Sequence, residues 1–298
     1  MTALSAPLRS AKGKDAVRVA RARSAFPGNI DVLGLVAGGF LLLMTVAAAA
    51  ASAIAPYGIN DLVGPRLQTP SWRFLLGTDE LGRDLLSRVL FGARASLLIG
   101  FTASVFGTTV GALLGLIGGY LGGRLDSLLQ RVMETIMAFP LLVMALALLG
   151  TTETPTPYHL IAAIVVVVFP RTARVIRGVT LTLRGQDYIL AARAVGASPT
   201  RIMFGHLLPN VMPYAIVLVT IVLGNAILVE AALSFLGYGV QPPTPSWGAM
   251  LSGSVRAYMF QAPWLVIPPG LALSLTVFAA NLFGDALRDA LDPRLRRA

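Results

Sequence analysis

The sequence contains no cysteine, which excludes disulfide bonds, thiolate metal sites and a cysteine nucleophile. Histidine occurs only twice, at His159 and His206, and these two residues fit no metal-ligand spacing. Charged residues make up only 13% of the chain, far fewer than in an ordinary soluble domain. Together with a mean hydropathy of +0.74, this composition indicates an integral membrane protein.

The chain also lacks a phosphate-binding loop of the form G-x-x-x-x-G-K-[ST], so we expect no ATP hydrolysis by this chain. We expect no catalytic residues, because the sequence shows no acid-base cluster of the kind that a membrane enzyme acting on lipid would need. We also expect no cofactor and no metal ion. The net charge of +10 does not indicate nucleic-acid binding, since the basic residues are dispersed between apolar runs.

Six mostly apolar segments are long enough to cross a bilayer, which needs about 20 residues per helix. They are residues 30–54, 95–120, 125–149, 160–179, 211–236 and 263–287. The fourth is interrupted by Pro170, Arg171, Arg174 and Arg177, so we interpret its second half as a helix that leaves the membrane. The pattern predicts an all-α integral membrane domain over residues 30–298, preceded by a basic N-terminal arm over residues 1–29.

The distribution of arginine and lysine predicts the orientation of the spans. Basic residues concentrate before the first span, between the fourth and fifth spans and after the last one, whereas those in the first long loop are offset by acidic residues. By the positive-inside rule, both termini and residues 180–210 are cytoplasmic. Residues 55–94 and 237–263 then form the two large external loops. Within the first, residues 81–90 are amphipathic, and we expect them to lie flat at the outer interface.

Small residues and two carboxylates stand out within the spans. Glycines recur at every fourth position of the second span, at 107, 111, 115 and 119, and predict a close helix-packing seam. Glu134 and Glu230 lie nearest to apolar sequence, where charge is costly and usually functional. Glu134 is three residues from Arg131, so a helix ion pair and a role in transport both remain open.

The polar segment between the fourth and fifth spans predicts two short helices joined by a tight turn. Helix formers follow Asp187, and Gly196 stands where a helix would stop. Ser198 can cap a second helix and Pro199 can open it. This second helix is predicted over residues 200–208, ending before Pro209. A hairpin that only returns the chain to the membrane is the alternative.

The spacing in this segment resembles the cytoplasmic loop shared by permease subunits of ABC importers. That loop has the pattern Glu-Ala-Ala, three residues, Gly, nine residues, then Ile-x-Leu-Pro. Ala191, Ala192, Gly196, Leu208 and Pro209 match this pattern, whereas Leu190 replaces the glutamate and His206 replaces the isoleucine. The stretch "RIMFGHLLPN" is similar to the form seen in peptide-type members.

Four further stretches resemble the C-type permease of dipeptide, oligopeptide and nickel importers. They are "LLGTDELGRDLLSRVLFGAR", "GGRLDSLLQRVMETIMAFP", "RTARVIRGVTLTLRGQDYILAARAVGA" and "LSFLGYGVQPPTPSWGAML". The resemblance marks the following motif residues: Asp79, Gly82, Arg83, Asp126, Arg131, Glu134, His206, Pro209, Gln241, Pro242 and Trp247.

The resemblance implies a type I ABC importer permease fold with six transmembrane helices and a coupling helix between spans four and five. Tyr188, Ile189, Ala192 and Val195 are expected to bury an apolar edge in a groove of an ATPase subunit. The full set implied for ATPase coupling is Asp187, Tyr188, Ala191, Ala192, Arg193, Gly196, Ala197, Ser198, Pro199 and Arg201.

The resemblance further implies a bacterial inner-membrane protein that forms half of a translocation pathway for di- or oligopeptides by alternating access. The implied partners are a second homologous permease, two ATPase subunits that use Mg-ATP, an extracytoplasmic substrate-binding protein, the peptide and membrane lipid. A nickel chelate or another small solute is the alternative substrate. A stand-alone secondary transporter is a different alternative, but it would require coupling-ion carboxylates inside the spans.

Overall fold

The computed structural model describes residues 32–153 and 155–291. Within these ranges the regular secondary structure is helical, apart from isolated β-bridges. The predicted N-terminal arm, residues 1–29, lies outside the described residues. Two isolated β-bridges, Leu62 with Arg83 and Thr78 with Asp84, close the long loop after the first span.

The helices of the described part follow one another in a bundle. They are α1 (Val32–Ala49), α2 (Ala51–Ile54), α3 (Leu85–Leu121), α4 (Gly123–Met137), α5 (Leu141–Leu149), α6 (Pro157–Leu183), α7 (Asp187–Ala194), α8 (Pro199–Ile202), a π-helical turn (Met203–Leu207), α9 (Leu208–Phe235), α10 (Trp247–Tyr258), a 3₁₀ turn (Pro263–Leu265) and α11 (Ile267–Leu291).

Five helical stretches of the described chain are long and apolar enough to cross a membrane. They are Val32–Ala49, Leu85–Leu121, Pro157–Leu183, Pro199–Phe235 and Pro263–Leu291, and α4 with α5 makes a sixth span if the bent pair is counted as one. The predicted multi-pass helical fold is therefore confirmed.

The third predicted span differs from the sequence-based expectation of one helix over residues 125–149. α4 and α5 meet at an angle of 90°. Pro140 lies at the break, with its backbone in an extended conformation (φ −55°, ψ 132°). Proline has no N–H to donate to the preceding turn and disfavours helical geometry in the residue before it, which explains why the helix stops here.

The second half of the amphipathic stretch 81–90 is the start of α3, which begins at Leu85. That this stretch lies flat at the outer interface stays a prediction. The Asp84 carboxylate accepts a hydrogen bond from the Ser87 N–H at 2.8 Å and so caps α3 at this point. α6 runs for 27 residues with Pro170 inside it, so the second half of the fourth predicted span is helical as expected. That this half leaves the membrane stays a prediction.

The glycine stripe of α3 lies directly against α6, which confirms the predicted seam. A Cβ atom added at Gly111 would lie 2.7 Å from the Phe169 carbonyl oxygen, and one added at Gly119 would lie 2.8 Å from Thr180 Cβ. Neither position has room for a side chain, so the missing Cβ atoms allow the two backbones to approach closely. This seam joins α3 to α6, the helix that leads into the 180–210 loop.

Candidate functional site in the loop between α6 and α9

The first helix of the 180–210 loop ends as its sequence predicts. Gly196 has a φ of +81°, a left-handed conformation that glycine adopts at little cost. The Gly196 N–H donates to the Arg193 carbonyl and the Ala197 N–H donates to the Ala192 carbonyl, each at 3.0 Å. These two bonds form a Schellman motif, which satisfies the last carbonyl groups of α7 and fixes the direction in which the chain leaves it.

The turn into α8 also has the predicted chemistry. The Ser198 hydroxyl accepts a hydrogen bond from the Arg201 N–H at 3.3 Å, and Pro199 occupies the first helical position. The predicted end before Pro209 is wrong, however, because the chain passes from α8 through the π-helical turn Met203–Leu207 directly into α9. The wider π turn accommodates Pro209, whose ring would clash with the carbonyl four residues earlier in a regular helix.

One face of the loop is packed into the bundle. Ile189, Ile202 and Leu207 are each at most 1% exposed and belong to a cluster with Leu116 and Ile176 of α3 and α6. Ala192 is half-buried against the same cluster. The expectation that Ile189 faces an ATPase groove is therefore wrong, because its side chain is already part of the hydrophobic core of this chain. A helix of eight residues gives too short a pattern to show which edge is buried.

The opposite face of the loop is exposed and partly apolar. Tyr188, Leu190 and Val195 are 42%, 50% and 85% exposed. The remaining residues implied in coupling are also exposed, apart from Ala192 and the half-buried Ala197: Asp187, Ala191, Arg193, Gly196, Ser198, Pro199 and Arg201. The loop therefore presents an apolar patch with charges of both signs beside it.

Arginine side chains attach the loop to the adjoining end of α3. Arg184 Nη1 donates to the Gly119 carbonyl at 3.0 Å, and the Arg193 guanidinium lies 5.2 Å from the centre of the Tyr120 ring. The cation–π contact of Arg193 means that this residue contacts the bundle as well as solvent. These contacts are not predictable from local pattern, since Arg184 and Gly119 are 65 positions apart.

An ion pair holds α4 to α6 close to the same end of the bundle. Arg177 donates to both carboxylate oxygens of Asp126, through Nε and Nη2, at 2.6 Å each. This two-point geometry is the strongest form of the arginine–carboxylate contact. Asp126 was predicted only as a motif residue and Arg177 only as an interfacial cation, so their pairing is a finding of the structure.

The motif residues outside the loop lie in separate places. In the first long loop, Arg83 Nε donates to Asp79 Oδ2 at 2.6 Å and Gly82 has a φ of +88°. Gln241 and Pro242 are exposed in the segment after α9, where the Gln241 amide donates to the Gly237 carbonyl at 3.1 Å. These residues shape two loops and do not converge on one site.

The structure also gives the surroundings of four further motif residues. Trp247 is fully buried and its indole N–H donates to the Val89 carbonyl at 3.1 Å. His206 is half-buried in the π turn, where its carbonyl accepts from the Asn210 side chain. Arg131 and Glu134 are both exposed on α4, and no ion pair joins them in the described structure.

The fold and the loop together define a class: a multi-pass helical membrane protein with a capped helix-turn-helix loop that is packed into its bundle on one face and open on the other. The chain belongs to the family of binding-protein-dependent transport system inner membrane components, which matches residues 107–297. This confirms the family resemblance inferred from the motifs, and the class is that of an ABC importer permease.

Individual relatives cover nearly the whole chain. It is 46% identical over 266 residues to the di/tripeptide transport system permease protein DppC of Pseudomonas aeruginosa (strain UCBPP-PA14), covering 87% of each chain. It is 42% identical to the glutathione transport system permease protein GsiD of Salmonella typhimurium, covering 89% of this chain and 87% of the relative. It is also 42% identical to a putative peptide transport system permease protein of Brucella suis biovar 1, covering 87% of each.

A solved structure supports the fold. One chain of the MetNI methionine ABC transporter, in inward-facing conformations, matches with a TM-score of 0.58 at 20% identity. The match covers 70% of this chain and 98% of the other. The chain thus has the type I ABC importer permease fold.

Proposed function

We propose that this chain forms half of the translocation pathway for short peptides in a bacterial inner-membrane ABC importer. The observation that carries the substrate class is the 46% identity, over 87% of both chains, to a di/tripeptide permease. Relatives described as glutathione and peptide permeases point to the same class, since glutathione is itself a small peptide. None of these relatives favours the nickel-chelate alternative.

We infer that the exposed face of α7 docks on an ATPase subunit. Tyr188, Leu190 and Val195 supply the apolar area, and Asp187 and Arg201 supply rim charges that orient the contact. Leucine at position 190, where the family pattern has glutamate, makes this contact more apolar. The acidic contribution then comes from Asp187, one turn earlier.

The packing of the inner face of the loop supports a mechanical link to the bundle. Ile189 and Leu207 are packed among residues of α3 and α6, and Arg184 is bonded to the end of α3. A packed apolar contact of this kind is not continuously deformable, so a displacement of α7 is passed on to the helices behind it. The loop would therefore act as a lever between ATP-driven movement of the ATPases and alternating access of the bundle.

The remaining components follow from this role. ATP and Mg²⁺ are used by partner ATPase subunits, and this chain itself carries no catalytic residue and no cofactor. A second homologous permease completes the pathway, and a substrate-binding protein delivers the peptide to the external loops. The basic residues of the sequence support cytoplasmic termini and a cytoplasmic 180–210 loop.

Gly196 offers a sharp test of the coupling role. A Cβ atom added there meets nothing within 4 Å in this chain, so a substitution acts through backbone strain and through whatever docks on the loop. Valine at a left-handed position costs about 1–2 kcal/mol. Asparagine is close in size and tolerates this conformation, which makes Gly196→Asn the matched control.

The experiment compares both variants in the assembled transporter, reconstituted in liposomes with its binding protein and a labelled tripeptide. We expect Gly196→Val to lose ATP-driven uptake or ATPase co-purification, while Gly196→Asn retains most of both. Excess unlabelled tripeptide should compete for uptake in the parent, and a nickel chelate should not. Normal uptake by Gly196→Val with its ATPases bound would remove the coupling role, and competition by nickel alone would remove the peptide assignment.

A further inference from the structure

Glu230 is a fully buried carboxyl group inside the apolar helix α9, and no part of the proposed coupling uses it. Its Oε1 atom accepts a hydrogen bond from the Ser234 hydroxyl at 2.7 Å. The buried side chains of Ser96 and Ser246 lie near the same carboxyl group, while Ser234 donates the hydrogen bond that the structure shows. Its Oε2 atom has no partner within hydrogen-bonding distance in the described structure. Burial of a carboxyl group is costly unless hydrogen bonds compensate for the loss of water.

Each of these three serines also receives a backbone N–H from a different part of the following segment. Ser96 Oγ accepts from the Trp247 N–H at 3.2 Å, and Ser234 Oγ accepts from the Val240 N–H at 3.3 Å. Ser246 Oγ accepts from the Ala249 N–H at 3.2 Å. A serine hydroxyl that accepts an N–H still has its own proton to donate. The Ser234 hydroxyl thus accepts from Val240 and donates to Glu230 at the same time, and the hydroxyl protons of Ser96 and Ser246 remain available to the same carboxyl group.

The N–H groups that donate to these serines belong to residues 236–249, which comprise the segment after α9 and the start of α10. Trp247 at the start of α10 is fully buried in a cluster with Ala48 of α1, Ala93 of α3 and Ala272 of α11. A Cβ atom added at Gly92 of α3 would lie 3.3 Å from the Trp247 ring, so the start of α10 is wedged tightly into the bundle. This wedge lies at the end of α9 opposite to the 180–210 loop.

We propose that Glu230 is a positioning residue that holds the 236–249 segment in the bundle by accepting from the hydroxyls of Ser96, Ser234 and Ser246. The serine hydroxyls accept hydrogen bonds from backbone N–H groups of the segment, and Glu230 fixes the orientation of these hydroxyls. Loss of the carboxyl group leaves three buried hydroxyl donors without their acceptor, which loosens the segment and admits water to the α3–α9 contact. The effect on transport rests on the proposed function, but the positioning itself does not.

Site-directed thiol labelling can measure the position of this segment, because the natural chain contains no cysteine. Val240 is 7% exposed, so Val240→Cys provides a single thiol that is protected while the segment is held. The full-length chain in lipid nanodiscs is treated with a water-soluble maleimide. We expect Glu230→Ala to raise the labelling rate about tenfold. Glu230→Gln keeps an acceptor oxygen of the same reach and should stay close to the parent.

A matched pair of serines on α3 distinguishes the proposed network from a general loss of polar groups. Ser96 and Ser104 are both fully buried, but the Ser104 hydroxyl donates to the Phe101 carbonyl of its own helix at 2.8 Å. We expect Ser96→Ala to raise labelling of Val240→Cys, whereas Ser104→Ala should not. Once Glu230 is alanine, Ser96→Ala should add little more, because the two residues act in one network.

Unchanged labelling in Glu230→Ala would overturn the proposal, and so would labelling of Glu230→Gln as fast as Glu230→Ala or labelling of Ser104→Ala equal to Ser96→Ala. A thiol at Ala51, which is fully buried in α2, monitors the rest of the fold. If Ala51→Cys becomes labelled together with Val240→Cys, the effect is global and the local role is wrong. Labelling as predicted in a chain that transports no peptide would contradict the proposed function and leave the positioning role intact.

Discussion

Replacing Gly115 with alanine perturbs the closest approach between α3 and α6. The added Cβ atom would lie 2.5 Å from the Ala173 carbonyl oxygen and 2.9 Å from the Arg177 nitrogen. Both are backbone atoms of α6, so no side-chain rotation can relieve the contact. The helices must separate locally by roughly 1 Å to reach an ordinary van der Waals distance.

Overpacking of this kind costs about 1–3 kcal/mol, whereas alanine in place of glycine within a helix contributes up to about 1 kcal/mol of stability. Gly178 of α6 separates these two effects, because a Cβ atom added there meets nothing within 4 Å. Gly178→Ala therefore measures the helix propensity alone. The difference in unfolding free energy between the two variants gives the cost of disturbing the seam, about 1–3 kcal/mol.

The assay is thermal denaturation of each purified variant in detergent, followed by size-exclusion chromatography of the chain that remains monodisperse. Gly115→Ala should lose its folded peak at a lower temperature than the parent, and Gly178→Ala at the same or a higher temperature. Equal midpoints for the two alanine variants would refute the conclusion that the glycine stripe is a close backbone contact.

Two further substitutions and one labelling experiment test other parts of the structure. Asp126→Arg should destabilise the chain by about 1–3 kcal/mol, and adding Arg177→Asp should restore part of the loss, measured by the same thermal assay; no restoration would contradict the ion pair. Ile189→Ala should cost about 2–4 kcal/mol and make the 180–210 loop more sensitive to protease, since it empties a buried position. A thiol at Ser198 should be labelled only from the cytosol and one at Gln241 only from outside; the reverse would overturn the orientation.

The turn in the 180–210 loop was predictable because its determinants are local. Gly196 ends α7 and Ser198 caps α8, and each residue acts on backbone groups within a few positions. The glycine stripe of α3 was predictable for the same reason, since a four-residue period places small residues on one face of a helix.

Other features depend on partners that are distant in sequence or on a choice between two allowed geometries. Asp126 and Arg177 are 51 positions apart, and nothing near either residue predicts their pairing. The 90° bend before Pro140 was hidden by an apolar composition that suits one straight span equally well. The inward direction of Ile189 depends on its packing against α3 and α6, which only the folded bundle defines.

Cross-linking from α7 tests the central claim, that the exposed face of this helix docks on an ATPase subunit, more directly than any loss of transport. Single cysteines are placed at Leu190 and Val195, which are 50% and 85% exposed, and at the fully buried Ile189 next to Leu190 in the sequence. The assembled transporter is treated with a short bismaleimide, with cysteines introduced on the ATPase surface. We expect cross-links from positions 190 and 195 and none from position 189. An intact, transporting complex in which neither exposed position cross-links to the ATPase would contradict the central claim.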